Sequence, residues 1–164
     1  MHLLRNASLL LVAACAASNQ PSVPFVGRSA DVAALAGEWS GEYSSTESGR
    51  SGSISFTLRS AADSAFGDVV MIPVGFGRPL APWRGGDTPA AMQRPATEVL
   101  TINFVRVDQG RVNGTLAPYA DPRTGERLST TFTGQLSGNK IEGTYTTRMP
   151  SGETQTGRWS VQRK

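Results

Sequence analysis

From Gly37 onward the chain alternates apolar and polar residues with a period of two, broken at short intervals by glycine-containing turns. That period belongs to a strand buried on one face, because successive side chains point to opposite sides of a pleated backbone. GEWSGEYS sets Trp39, Gly41 and Tyr43 against Glu38, Ser40 and Glu42, and SISFTLRS sets Ile54, Phe56 and Leu58 against Ser53, Ser55, Thr57 and Arg59. DVVMIPV is apolar on both faces, and EVLTINFVRV places Leu100, Ile102, Phe104 and Arg106 on one side. GRVNGTLAP, RLSTTFTGQL, NKIEGTYTTRM and ETQTGRWSVQR follow, with Val112, Leu116, Leu128, Phe132, Leu136, Ile141, Tyr145, Trp159 and Val161 facing inward. Turns such as Asp108-Gln109-Gly110, Ser137-Gly138-Asn139 and Pro150-Ser151-Gly152 separate them. Ahead of the first strand, SADVAALAG predicts a two-turn helix with Ser29 as N-cap, Val32 and Leu35 on one face and Gly37 at its end.

The prediction is an all-β fold of about eight strands. Short connections make consecutive strands antiparallel, nearly every strand has one Ser/Thr-rich face, and an up-and-down barrel satisfies both while leaving no open sheet edge. Alternation does not say which face is inside, so a small outer-membrane barrel and a two-sheet sandwich stay open. The ending Val-Gln-Arg-Lys, without an aromatic residue, favours the soluble barrel. Strand parity divides the connections between two ends. Residues leading into the first strand, the turns after the even strands and the last residues share one end, with Trp39, Arg106 and Arg163 nearby; the turns after the odd strands share the other.

The chain opens MHLLRNASLLLVAACAASNQP, where a charged Arg5 and an apolar run from Ala7 to Ala14 read as a secretory signal. The run is too short for a membrane-spanning helix, which needs about 20 apolar residues. Val12-Ala13-Ala14-Cys15 resembles the lipobox of bacterial lipoproteins, with small residues before a cysteine that carries thioether-linked diacylglycerol. The resemblance implies a signal peptide over 1–14, lipidated Cys15 followed by a tether over 15–28, and a barrel domain over 29–164. It places the protein on the cell envelope with the membrane as partner through the lipid. Ala16, where an aspartate would mark inner-membrane retention in that family, favours the outer membrane facing the periplasm in a cell with two membranes. The other reading is an ordinary signal peptide and an incidental cysteine.

Loss of the signal removes His2, the only histidine, and lipidation consumes the only cysteine. Ser-His-Asp and Cys-His nucleophilic sites, His/Cys zinc sites and facial-triad iron sites are excluded together, and no cofactor is expected. A formal charge of +3, of which the signal carries Arg5, is too small and dispersed for nucleic-acid binding. Paired-carboxylate chemistry fails on distance: Glu38 and Glu42 share one face of a strand, but four residues of strand separate them by roughly 13 Å, beyond the roughly 5–9.5 Å such chemistry needs. The chain is therefore read as a non-enzyme.

Gly37-Glu38-Trp39 on the first strand, the short helix before it and Arg163 at the end of the last strand resemble the calycins, the group of lipocalins and avidins. The resemblance implies that Arg163 packs over Trp39 to close one barrel end by cation–π stacking. At the other end one connection is exceptional. GFGRPLAPWRGGDTPAAMQRPA, residues Gly75 to Ala96, lacks alternation and is longer than the roughly 12–15 residues usual for loops in compact domains. Avidins carry a lid loop at the equivalent connection, although the residues of an avidin-like biotin cage find no counterparts here. Within the loop Phe76, Arg78, Trp83 and Arg84 are candidates: Trp83 either plugs the mouth or touches a bound molecule, with the arginines solvated or paired to an acidic head group. Inward-facing Gly41, Gly114, Gly134, Gly143 and Gly157 either let the strands bend or leave space between residues such as Tyr43 and Tyr145, two further candidate ligand contacts. The leading expectation is a lipocalin-like module binding a small apolar or amphipathic molecule. The alternative is a protein-interaction or inhibitor module of the envelope acting through its loops.

Overall fold

The computed structural model describes residues 25–61, 64–75, 80–83 and 100–164. Cys15, the segment 1–14, most of the tether, Phe76, Arg78 and Arg84 lie outside the described residues. In chain order the elements are β1 (Phe25–Val26), α1 (Ser29–Leu35), β2 (Gly37–Ser44), β3 (Ser51–Ala61), β4 (Ser64–Pro73) and β5 (Leu100–Asp108). They continue with β6 (Arg111–Leu116), β7 (Tyr119–Ala120), β8 (Arg127–Ser137), β9 (Lys140–Arg148) and β10 (Thr154–Arg163).

Eight of these strands form a closed antiparallel barrel in the order β2-β3-β4-β5-β6-β8-β9-β10. The ring closes where β10 pairs with β2, setting Arg163 opposite Trp39 and Trp159 opposite Tyr43. Short turns dictate this up-and-down order, and closure satisfies the backbone groups that an open sheet would leave at its edges. One seam is thin. β4 and β5 pair only through Asp68–Thr101 and Val69–Leu100, and β1 runs parallel to β5 at Val105 and Arg106, covering its lower edge.

The alternation read from the sequence holds on most strands and slips once. The β5–β6 register shifts between Ile102 and Phe104, and a bulge of this kind reverses the facing of every later residue on its strand. Leu100 and Ile102 point inward as expected, but beyond the bulge it is Val105 and Val107 that enter the core, 2% and 1% exposed. Arg106 accordingly lies on the exposed outer face rather than on the inward face with Leu100. Outward positions such as Thr131, Thr133, Glu142, Thr144 and Arg158 are exposed and polar, the reverse of the apolar outer band of a membrane-spanning barrel.

The base is closed from above and below. Trp39 is 0% exposed, its Nε1–H donates to the Leu35 carbonyl at 2.9 Å, and the Arg163 guanidinium carbon sits 4.6 Å from its ring centroid. Arg163 also donates to the Ala34 and Ala36 carbonyls, supplying partners for the orphan carbonyls at the end of α1. Gly37 follows with φ +131°, and a Cβ there would lie 3.2 Å from Arg163 Nη1; glycine suits both the conformation and the approach. The helix begins one residue earlier than its sequence suggests: Arg28, not Ser29, is the N-cap, with no side-chain cap. Arg28 instead pairs with Asp31 at 2.9 Å.

Candidate functional site: the barrel interior

Among the described residues, the side chains do not fill the interior. A cavity of about 250 Å³ runs from Leu35, Val105 and Ile141 near the base to Arg50, Pro122 and Arg123 at the opposite end. Its wall is mostly apolar, from Ile54, Phe56, Met71, Ile102, Leu116 and Phe132.

The sequence explains why space remains. A Cβ on Gly157 would fall 2.3 Å from Tyr145 Cζ, and one on Gly134 would fall 2.7 Å from Trp159 Cζ2. Tyr145 therefore lies over a glycine of the adjacent strand β10, and Trp159 reaches across β9 to a glycine of β8. Trp159 is held there because its Nε1–H reaches the Thr133 carbonyl at 3.0 Å, with Phe132 edge-on at 6.0 Å between centroids. At Gly134 and Gly157 the two readings of the inward glycines hold together, with aromatic rings covering them beside an open axis, whereas at Gly41 and Gly143 a Cβ would meet the backbone of a neighbouring strand.

The mouth carries the polar groups. Arg50, at the end of the β2–β3 turn, forms an ion pair with Asp121 of the segment between β7 and β8. Asp121 is 3% exposed, and its Oδ1 accepts the backbone N–H of Arg123 at 2.8 Å and of Thr124 at 3.4 Å. The turn around it is closed by Asp121 N–H to the Glu126 carbonyl and Gly125 N–H to the Asp121 carbonyl, at 2.8 and 2.9 Å. Arg50 Nε is buried and has no hydrogen-bond partner among the described residues. Beside this pair a chain of hydroxyls, Tyr119–Thr130–Thr147, is linked at 2.9 Å per step.

Tyr43 and Tyr145 both line the cavity, meeting edge to face at 6.3 Å between centroids. Burial pushes the Tyr43 phenol well above its ordinary range, with Tyr119 and Tyr145 adding to the shift and Arg50 opposing it. Burial likewise pushes Tyr145 up to about 12. Both are neutral hydroxyls at physiological pH.

Among the described residues of the long β4–β5 connection, Leu80 is the buried one that lines the interior. It is 6% exposed, its N–H donates to the Met71 carbonyl at 2.7 Å, and it lines the cavity. The chain then crosses to the opposite wall, where Ala81 accepts from Ala120 N–H at 3.0 Å and Trp83 N–H donates to Pro118 at 2.9 Å. Trp83 is not among the described lining residues; its ring lies 5.7 Å from the Arg127 guanidinium carbon. Four side chains that shape the mouth had one available signal or none. Thr130 and Thr147 sit at inward parity between Leu128, Phe132 and Tyr145, a signal masked by the threonines of the outer face. Arg50 and Asp121 are 71 residues apart, with no local pattern joining them.

The chain matches no protein-family model, and no curated protein matches it. Fold and interior together define a closed eight-stranded antiparallel β-barrel, compatible with a calycin-like domain, that encloses an apolar chamber.

Proposed function

We propose that this protein is a lipid-anchored binding module of the bacterial cell envelope that holds a small apolar or amphipathic molecule inside its barrel. The observation that carries the reading is the apolar chamber of about 250 Å³. Leaving it open forfeits packing, since protein interiors are otherwise close-packed and voids lose dispersion contacts. Eight strands is the size at which a barrel either fills with side chains or admits one small ligand, and an apolar cavity of roughly 150 Å³ already takes up benzene. At the rim Val74 is 72% exposed and also lines the chamber, giving an arriving molecule an apolar lip.

The rest of the reading follows the chain's polarity. Val12-Ala13-Ala14-Cys15 supplies the anchor, and β1 and α1 bring the N-terminal chain to the base, opposite the mouth. A barrel tethered in this way opens away from the membrane. The Trp39–Arg163 closure supports the lipocalin-like form. The test is titration with an environment-sensitive anilinonaphthalene sulfonate probe and displacement by octanol. One-site saturable uptake with full displacement is expected; absence of saturable uptake of either compound overturns the reading.

A further inference from the structure

We infer that the molecule held in the barrel is a medium-chain monocarboxylate whose head group is received at the mouth by Arg50; this rests on the binding reading above and names the ligand's chemistry. Three observations converge on it. First, the cavity is chemically polarised: its depth is lined by aliphatic and aromatic residues, while Arg50 and Arg123 line its mouth, and Asp121, the carboxylate paired with Arg50, is 3% exposed and not among the described lining residues. An anionic head is drawn to that end and a cationic one is repelled.

Second, Arg50 is under-used. A guanidinium has five N–H donors. One nitrogen pairs with Asp121, whose other oxygen is occupied by two backbone N–H groups. Arg50 Nε stays buried without an acceptor among the described residues, and an unmade bond on a buried charged donor is costly. A carboxylate seated against the part of this guanidinium that lines the chamber adds a second anionic partner to the group, and planar Arg–carboxylate pairing is the strong form of such a bond. The Tyr43 and Tyr145 hydroxyls, which line the same chamber, remain protonated and able to donate.

Third, volume sets the tail. Scaling from the roughly 150 Å³ cavity that holds benzene, the chamber of about 250 Å³ suits roughly ten non-hydrogen atoms. Octanoate has that size, whereas a long-chain fatty acid does not fit.

Calorimetric titration of the full protein with octanoate, octanol and octylamine at neutral pH tests this. Octanoate is expected to bind at least about tenfold more tightly than octanol, as a charge-assisted hydrogen bond gives, and octylamine more weakly than either. Arg50→Gln weakens octanoate binding at least about tenfold more than octanol binding and so removes the octanoate advantage. If Arg50→Gln fails to fold because Asp121 is stranded, the Arg50→Gln, Asp121→Asn double variant removes both charges and is measured in its place. Equal affinities for octanoate and octanol in the unaltered protein, or equal loss of both in the variant, overturn the head-group assignment and leave the cavity reading standing. No binding of any of the three overturns the cavity reading itself.

Discussion

Replacing Trp39 with alanine tests how the base of the barrel is closed. The ring is 0% exposed, stacks on Phe56 at 6.2 Å between centroids and donates to the Leu35 carbonyl, so truncation costs about 3–5 kcal/mol, as for other buried aromatic residues. Arg163→Ala removes the guanidinium from the Trp39 face, worth about 0.5–2 kcal/mol. It also removes two hydrogen bonds to the carbonyls ending α1, each worth about 1 kcal/mol. With the ring already gone, Arg163 keeps its carbonyl partners but loses its stacking partner. The second substitution then costs about 1 kcal/mol less than it does alone. Urea unfolding of the four proteins in the cycle, followed by far-ultraviolet circular dichroism, measures this. Coupling of about 1 kcal/mol is the expected result, and additivity within about 0.3–0.5 kcal/mol, the value for independent sites, refutes contact between ring and guanidinium. Octanol binding is unchanged in Arg163→Ala, because the closure lies at the end away from the mouth.

Leu80→Ala costs about 2–3 kcal/mol, the low end for a buried leucine because the side chain borders open space, whereas Trp83→Ala costs about 1 kcal/mol or less, the value of a partly exposed cation–π contact; thermal unfolding separates the two. Tyr43 and Tyr145 have native pKa values raised above an unfolded value near 10. Their contribution to stability is therefore complete below about pH 10 and is lost as pH rises towards about 12; the urea midpoint falls over that window while tyrosinate absorbance lags behind that of the unfolded chain. Mass spectrometry of the natively expressed protein is expected to find Cys15 as an acylated N-terminus; an unmodified thiol, or cleavage elsewhere, refutes the proposed anchor.

The barrel was legible because its physics is local. Alternation specifies which face of a strand is buried, and glycine turns specify antiparallel neighbours, so the eight strands and their order follow from short segments. The Trp39–Arg163 closure was legible only through resemblance, since nothing local joins a first-strand tryptophan to the last strand. The bulge after Ile102 left no mark: INFVRV alternates as well in one register as in the other, and tertiary packing of Val105 and Val107 decides. The cavity was undecidable from sequence because Gly134 and Gly157 do not reveal whether Trp159 and Tyr145 lie on them or reach across the axis. At the mouth, Arg50 and Asp121 meet only after closure brings the β2–β3 turn beside the segment following β7. Leu80 was hidden in a stretch whose prolines and glycines read as irregular loop throughout, yet its buried side chain ties the described part of that stretch to the core.

The central claim is that the chamber itself, rather than the outer surface, takes up a small apolar molecule. Ile54 lines it and is incompletely buried, so Ile54→Trp puts a larger side chain into the open volume. Calorimetry with octanol compares this variant with the unaltered protein, and urea unfolding confirms that both are folded. One-to-one binding in the unaltered protein, weakened at least about tenfold in Ile54→Trp by steric occlusion worth more than about 1.4 kcal/mol, is the result the account predicts; equal affinity in both folded proteins contradicts it.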